Sequence, residues 1–167
     1  MTLVTGAGGK TGKAVIRALV ARGVRPRALA RRPEEVAELL AIGAAEVVQG
    51  DLLEASSLEP VFSGIRAVYH IGPNVHPAEE EIGRIESGLA HTILQPASYM
   101  QNIHGVWPSI MDGLYLVPYP TDVPFSPVDP ANVAEVAARV LTESGHEGAA
   151  YELCGPEILT PAQMAAR

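Results

Sequence analysis

Three glycines at intervals of three, Gly6, Gly9 and Gly12, open the chain within "VTGAGGKTGKA" (4–14), and Lys13 follows the last of them. Two phosphate-binding turns fit this stretch. From Ala7 the frame A-x-x-x-x-G-K ends at Gly12 and Lys13 and approaches a nucleoside-triphosphate loop; from Gly6 the frame G-x-x-G-x-x-G is a dinucleotide turn. A triphosphate loop needs a hydroxyl after its lysine to hold magnesium, and Ala14 stands there. It also needs an acidic residue closing a hydrophobic strand, and "AVYHIG" (67–72) ends without one. In the dinucleotide frame each glycine has a geometric task. Gly6 turns the chain out of a strand, Gly9 lets the backbone approach a pyrophosphate, and Gly12 lets a helix pack closely while aiming its positive N-terminus at the phosphates. Gly8 and Lys10 complete that turn and count with the cofactor site.

A second pair of residues bears on which dinucleotide is bound. NAD binders usually carry Asp or Glu at the end of the second strand to accept the ribose hydroxyl, whereas this chain has Ala30, Arg31 and Arg32. Two guanidiniums favour a 2'-phosphate, which their planar forks bind bidentately. The alternative is a solvated turn whose arginines pair with Glu34 or Glu35. NADP(H) is the preferred cofactor and NAD(H) the other choice.

The elements that must carry these residues alternate along the chain. "TLVT" (2–5) reads as a buried strand, and "KAVIRALVARG" (13–23) as a helix with Val15, Ile16, Leu19 and Val20 on one face and Gly23 at its C-terminal cap. "RPRALA" (25–30) and "AEVVQGD" (45–51) read as strands either side of a helix at "PEEVAELLAIG" (33–43), which opens with proline and acids. "SSLEPVFSG" (56–64) is a weak helix interrupted by Pro60, and "RAVYHIG" (66–72) is a fourth strand. Such alternation implies right-handed crossovers and a parallel sheet with helices on both faces. The expected class is therefore α/β: a doubly wound parallel sheet (Rossmann fold) in three α/β/α layers, with a small C-terminal substrate-side portion. The ligand belongs at the carboxyl ends of the strands.

Composition narrows the class of partner. The chain has 167 residues, 47% of them hydrophobic, which suits one globular domain over 1–167. A formal charge of −7 and a pI of about 5.2 argue against nucleic acid. Cys154 is the one cysteine, Met1 leads into a strand-like run, and no apolar run reaches a membrane span. A cytoplasmic location without membrane attachment is the expectation, as a monomer or homodimer. His91, His104 and His146 have no metal-ligand spacing with one another or with Cys154, so no metal site is expected.

Taken together, "LVTGAGGKTGKAVIRALVARG", "ALARRPE", "VVQGDLLEASSLEPVFSGIRAVYHI", "SGLAHTILQPASYMQN", "PFSPVDPANVAEVAARVL" and "YELCGPEILTPAQMA" resemble the NmrA-like branch of the atypical short-chain dehydrogenases/reductases. The resemblance covers nearly the whole chain. It implies a Rossmann fold that binds NAD(P), in a family of quinone or dye reductases, isoflavone-reductase-like enzymes and redox-sensing regulators. It also implies that Thr11 helps hold the pyrophosphate, that Asp51 and Leu52 bracket the adenine, and that Tyr69 to Pro73, including Ile71 and Gly72, line the nicotinamide-side ribose. Tyr99, Met100, Gln101 and Asn102 resemble the family's P-x-x-[FY]-M-x-N segment and would face the nicotinamide end and the substrate.

The chain departs from that family between Ile71 and His91. About nineteen residues separate the fourth strand from "HTILQ" (91–95), enough for one crossover helix at "HPAEEEIGRIESG" (76–88) and no further strand. The family plan places on the order of fifty more residues here, with a fifth strand and the Tyr/Lys-type catalytic residues. Where the lysine would be sought stand Glu79, Glu80 and Glu81. Either "HTILQP" takes the fifth-strand slot directly, or the chain is a shortened form, or residues of the natural protein are missing from this stretch. The last is favoured, because such a deletion would expose apolar sheet surface and an unpaired edge.

The catalytic residues are therefore unassigned. Tyr69 and His70 are candidates to polarise a substrate carbonyl, although core packing suits one of them better. Asp129 before "PANVAEVAARVL" reads as a helix N-cap. The proline-rich stretch 115–127 reads as a loop in which Tyr115 or Phe125, or Trp107 before it, closes an apolar pocket for a flat substrate; segments near 103–127 and 145–167 form the substrate side. Two functions follow: an NADPH-dependent oxidoreductase passing hydride to a quinone-like or enone acceptor, or a non-catalytic NADP(H) sensor acting through protein partners.

Overall fold

The computed structural model describes residues 1–71 and 90–166. Gly72, Pro73, the expected helix at 76–88 and its three glutamates lie outside the described residues.

Four short parallel strands form the first sheet: β1 (Thr2–Val4), β2 (Arg27–Ala30), β3 (Glu46–Gln49) and β4 (Ala67–Tyr69), in the order β3-β2-β1-β4. Register places Val4 beside Ala28 on one side and Tyr69 on the other. Strand residues alternate between the two faces. Val4, Ala28 and Ala30 meet the helices α1 (Lys10–Ala21), α2 (Val36–Ala41) and α5 (Pro130–Thr142), while Leu3 and Leu29 meet α3 (Glu59–Phe62) through Val61. This is an α/β Rossmann-like fold with helices on both faces.

The apolar stripe of α1 explains its position. Val15, Ile16 and Leu19 are fully buried, each side chain contributing roughly 1.5–3 kcal/mol, and the alanines Ala134, Ala137 and Ala138 of α5 let that helix lie close against it. Gly23 at φ 79° ends α1, with the N–H of Gly23 bonded to Val20 O and that of Val24 to Leu19 O. Pro60 does not interrupt α3. It occupies the first turn, where its missing N–H costs nothing, so the reading of Pro60 as a breaker is corrected.

A second sheet pairs β5 (Ile93–Pro96) with β6 (Ala150–Leu153) in parallel, Ile93 beside Ala150 and Pro96 beside Leu153. Among the described residues β5 does not pair with β4, so "HTILQP" does not fill the fifth-strand slot. Helix α5 packs on both strands and spans the break. Strands of a parallel sheet are normally covered on both faces, yet Val68 of β4 is 39% exposed and Ile93 of β5 is 45% exposed. Two further helices, α4 (Trp107–Met111) and α6 (Pro161–Ala165), border the region beyond the strands.

Candidate nucleotide and substrate site

The glycine turn leaves β1 at its carboxyl end. Gly6 has φ 56°, a left-handed conformation, and a Cβ there would collide with the Ile71 side chain, so the turn lies directly on the second residue past β4. The N–H of Gly9 closes the turn on Gly6 O at 3.0 Å. Gly12 is buried, and a Cβ on it would collide with the Gly6 carbonyl. Gly9 differs: it is exposed, and a Cβ there meets only the Gly6 oxygen at 3.3 Å. Gly9 is the N-cap of α1, no side chain caps the helix, and no acid stands in its first turn. That first turn, Lys10 to Gly12, thus offers backbone N–H groups and the positive end of a dipole toward open space. Thr11 is buried in it and Lys10 exposed.

Thr5, absent from the sequence-based site, joins the two strands that flank the switch point. Its N–H donates to Tyr69 O at 3.0 Å, and its fully buried Oγ1 accepts from the N–H of Ile71 at 3.2 Å and lies 3.1 Å from His70 Nδ1. A polar side chain ending an otherwise apolar run, "TLVT", is the signal that points to it. The clamp holds the glycine turn against Tyr69, His70 and Ile71 where the strand order reverses, the usual place for a ligand in an open α/β sheet.

The end of β2 holds the arginines in different states. Arg31 is exposed and makes no ion pair among the described residues. Arg32 is paired: its guanidinium donates to Glu35 Oε1 at 2.7 and 3.0 Å, with Glu34 at 3.8 Å. Burial pushes the Glu35 carboxyl up, but hydrogen bonds and charge from Arg32 outweigh this and hold it below the ordinary carboxylate value. The same pair raises the Arg32 guanidinium. The carboxylate of Glu35 also rests on the glycine turn, where a Cβ on Gly8 would collide with it.

At the end of β3, Asp51 Oδ1 accepts from the N–H of Leu53 at 3.0 Å, and the Asp51 N–H donates to Ser57 Oγ at 3.0 Å. Leu52 is turned inward and packs on the cluster of Leu3, Leu29 and Val61. Leu53, at 71% exposure, is the apolar side chain left at that rim.

On the other side of β4, burial pushes the Tyr69 phenol up to about 12, and nearby Tyr99 adds to the shift. Tyr69 packs partly into the core beside Leu94, while His70 is exposed, which divides the two as core packing and rim. Tyr99, Met100 and Asn102 line a cleft closed by Tyr115, Phe125 and Met164. Tyr119 braces Phe125 edge-on at 5.4 Å between ring centroids. Trp107 lies instead beside His104 at a separate depression. The cleft rests on Asp129: its Oδ1 caps α5 by accepting from Ala131 N at 2.6 Å, and its Oδ2 accepts from Gln101 Nε2 at 2.7 Å.

Comparisons with known proteins agree on one nucleotide-binding class. Residues 6–83 match the family model described as NAD(P)H-binding, which begins at the first glycine of the turn and runs past the end of β4. The stretch from the glycine turn to just past β4, somewhat under half of the chain, is thus similar to NAD(P)H-binding domains. A (4-alkanoyl-5-oxo-2,5-dihydrofuran-3-yl)methyl phosphate reductase of Streptomyces griseus is 29% identical over 206 residues, covering 100% of this chain and 72% of the relative. An NAD(P)H azoreductase of Xenophilus azovorans is 28% identical over 207 residues, covering 99% of this chain and 72% of the relative. Both matches run longer than this chain, so the relatives carry stretches with no counterpart here. Among solved structures, an NADPH-dependent quinone oxidoreductase of Escherichia coli is 27% identical with a TM-score of 0.83, covering 99% of this chain and 72% of that one. The domain is thus NAD(P)H-binding and oxidoreductase-like. Among the described residues no helix is long and apolar enough to cross a membrane.

Proposed function

We propose that the chain is an NADPH-dependent oxidoreductase that passes hydride to a flat, quinone-like or enone acceptor. The observation that carries this reading is the pair of features the fold holds: an uncapped, anion-ready glycine turn at the ends of β1 and β4, and an aromatic cleft lined by Tyr99 just past β5. The turn's fit to a dinucleotide rests on the open space at Gly9 and on the uncapped first turn of α1. In this reading Gly6, Gly8, Gly9, Lys10, Thr11 and Gly12 hold the pyrophosphate, and Arg31 and Arg32 meet the 2'-phosphate. Asp51 flanks the adenine, with Leu53 at the rim in place of the inward-packed Leu52, and Ile71 lies along the nicotinamide-side ribose.

The bound reduced nicotinamide supplies the hydride. What the chain contributes is position. Thr5 ties Tyr69, His70 and Ile71 to the turn, and Tyr99, Met100 and Asn102 bring the acceptor to the same edge. Tyr69 stays a neutral phenol across the physiological range and packs against the core, so it is poorly suited to give up a proton to the acceptor. A quinone tolerates this, because solvent completes its protonation. The NADPH-dependent quinone oxidoreductase and the NAD(P)H azoreductase among the similar proteins support this acceptor class. The domain is read as one unit over 1–167, with 103–127 and 145–167 on the substrate side, cytoplasmic, and a monomer or homodimer. Steady-state NADPH oxidation against a panel of quinones, enones and azo dyes tests the proposal. Turnover with at least one quinone is expected, and binding of NADPH without turnover of any acceptor would replace the enzyme reading with the sensor.

A further inference from the structure

Glu35 is joined to both parts of the proposed nucleotide site. The short 3-10 turn Pro33–Glu35 carries it from the end of β2 back over the glycine loop, so that its carboxylate touches Gly8 on one side and the Arg32 guanidinium on the other. Its side chain is 12% exposed while that of Arg32 is 60% exposed, so the acid is the shielded member of the pair. The turn is held in place from below, where Lys13 of α1 bonds Glu38 of α2 at 2.7 Å. The Arg32 N–H approaches Glu35 Oε2 at 3.4 Å, which gives the carboxylate a backbone contact as well. Arg31 stands beside this group without an ion pair among the described residues.

An anion entering between the glycine turn and the end of β2 therefore meets a carboxylate already seated there. We propose that Glu35 is a specificity-determining residue of the nucleotide site: its carboxylate occupies the place beside Gly8 and engages Arg32, which disfavours the 2'-phosphate of NADPH relative to the 2'-hydroxyl of NADH. The inference rests on the dinucleotide reading of the glycine turn. NADPH must separate Arg32 from Glu35 and bring a second negative group beside the carboxylate, a like-charge approach that NADH avoids. A ribose hydroxyl instead finds in Glu35 an acceptor. The preference for NADPH then comes from Arg31, which has no ion pair among the described residues, in spite of Glu35, and it is smaller than two arginines would give.

Equilibrium titrations of the full chain with NADPH and NADH at one ionic strength test this, comparing the wild type with Glu35→Gln and Glu35→Ala, each checked for folding by thermal melt. Glu35→Gln keeps the volume and removes the charge. It is expected to tighten NADPH by about tenfold and to leave NADH within about threefold. Glu35→Ala, which also empties the space beside Gly8, is expected to show at least the same NADPH gain. Equal tightening of both nucleotides by Glu35→Gln would overturn the specificity claim, as would no change in either. Failure of the wild-type chain to bind NADPH would instead overturn the dinucleotide reading, and this inference with it; that failure is distinguishable because it appears before any substitution is made.

Discussion

Gly9 and Gly12 lie three residues apart in the same turn, and substituting them is expected to separate binding from folding. Gly9 has φ −77° and ψ 167°, extended backbone that any residue adopts, and a Cβ there meets only the Gly6 oxygen at 3.3 Å. Gly9→Val therefore costs the fold about 1 kcal/mol or less, mainly as a poorer N-cap, which lowers Tm by about 2–4 °C in a chain of this size. Its isopropyl group occupies the open space over the first turn of α1. A pyrophosphate held off that turn forgoes about two charge-assisted hydrogen bonds, each worth roughly 1.5–3 kcal/mol, so NADPH affinity should fall by about two to four decades. Gly12→Ala behaves in the opposite way. The new methyl collides with the Gly6 carbonyl and lies 2.8 Å from Ala7 Cα and 2.9 Å from Gly6 C, all backbone atoms that no rotamer change can move. Helix propensity favours alanine by about 1 kcal/mol, but overpacking against backbone costs about 1–3 kcal/mol or more, so a net loss near 2 kcal/mol and a Tm drop of about 4–8 °C are expected. Thermal melts and nucleotide titrations on both variants provide the readout. A Gly9→Val protein that keeps its affinity, or a Gly12→Ala protein as stable as the wild type, would refute the reasoning.

Other outcomes follow from the same geometry. Arg31→Ala should weaken NADPH by about tenfold to a hundredfold and leave NADH nearly unchanged, whereas Arg32→Ala should cost less than about tenfold because Glu35 already engages that side chain; calorimetric titration at fixed salt measures both. Tyr69 has a folded pKa raised from 10.0 to about 12, so its contribution to stability is complete below pH 10 and is lost as pH rises toward 12. Denaturant melts across that range should show Tyr69→Phe losing less stability than the wild type. Asp129→Ala removes the cap of α5 and leaves Gln101 Nε2 without its carboxylate, and a loss of about 1–2 kcal/mol, seen as a Tm drop of about 2–8 °C, is expected.

The first half of the fold is legible in the sequence because local rules and tertiary demands coincide there. The glycine turn, the apolar stripe of α1, the Gly23 cap and the Asp129 cap each involve residues close in sequence whose geometry one residue type satisfies. α1 starts at Lys10, ahead of the helix expected over 13–23, because Gly9 serves as its N-cap. The break between β4 and β5 is not foreseeable from the sequence of either strand, since pairing of distant strands is not written in one strand alone. Leu52, expected at the adenine rim, packs inward, with Leu53 at the surface; neighbouring leucines look alike to any periodicity in a turn. Glu35 is visible in the sequence as a partner for arginine, but its contact with Gly8 depends on how the Pro33–Glu35 turn folds over a loop far earlier in the chain.

The most direct measurement is a single-turnover reaction with the chain in excess over NADPH, mixed with a quinone and followed by the loss of reduced-nicotinamide absorbance. The wild type should oxidise all of the NADPH in a first-order process, and Gly9→Val, purified identically, should oxidise none above background. NADPH that binds but stays reduced, or equal rates from the two proteins, would contradict the assignment of this glycine turn as the cofactor site of a reductase.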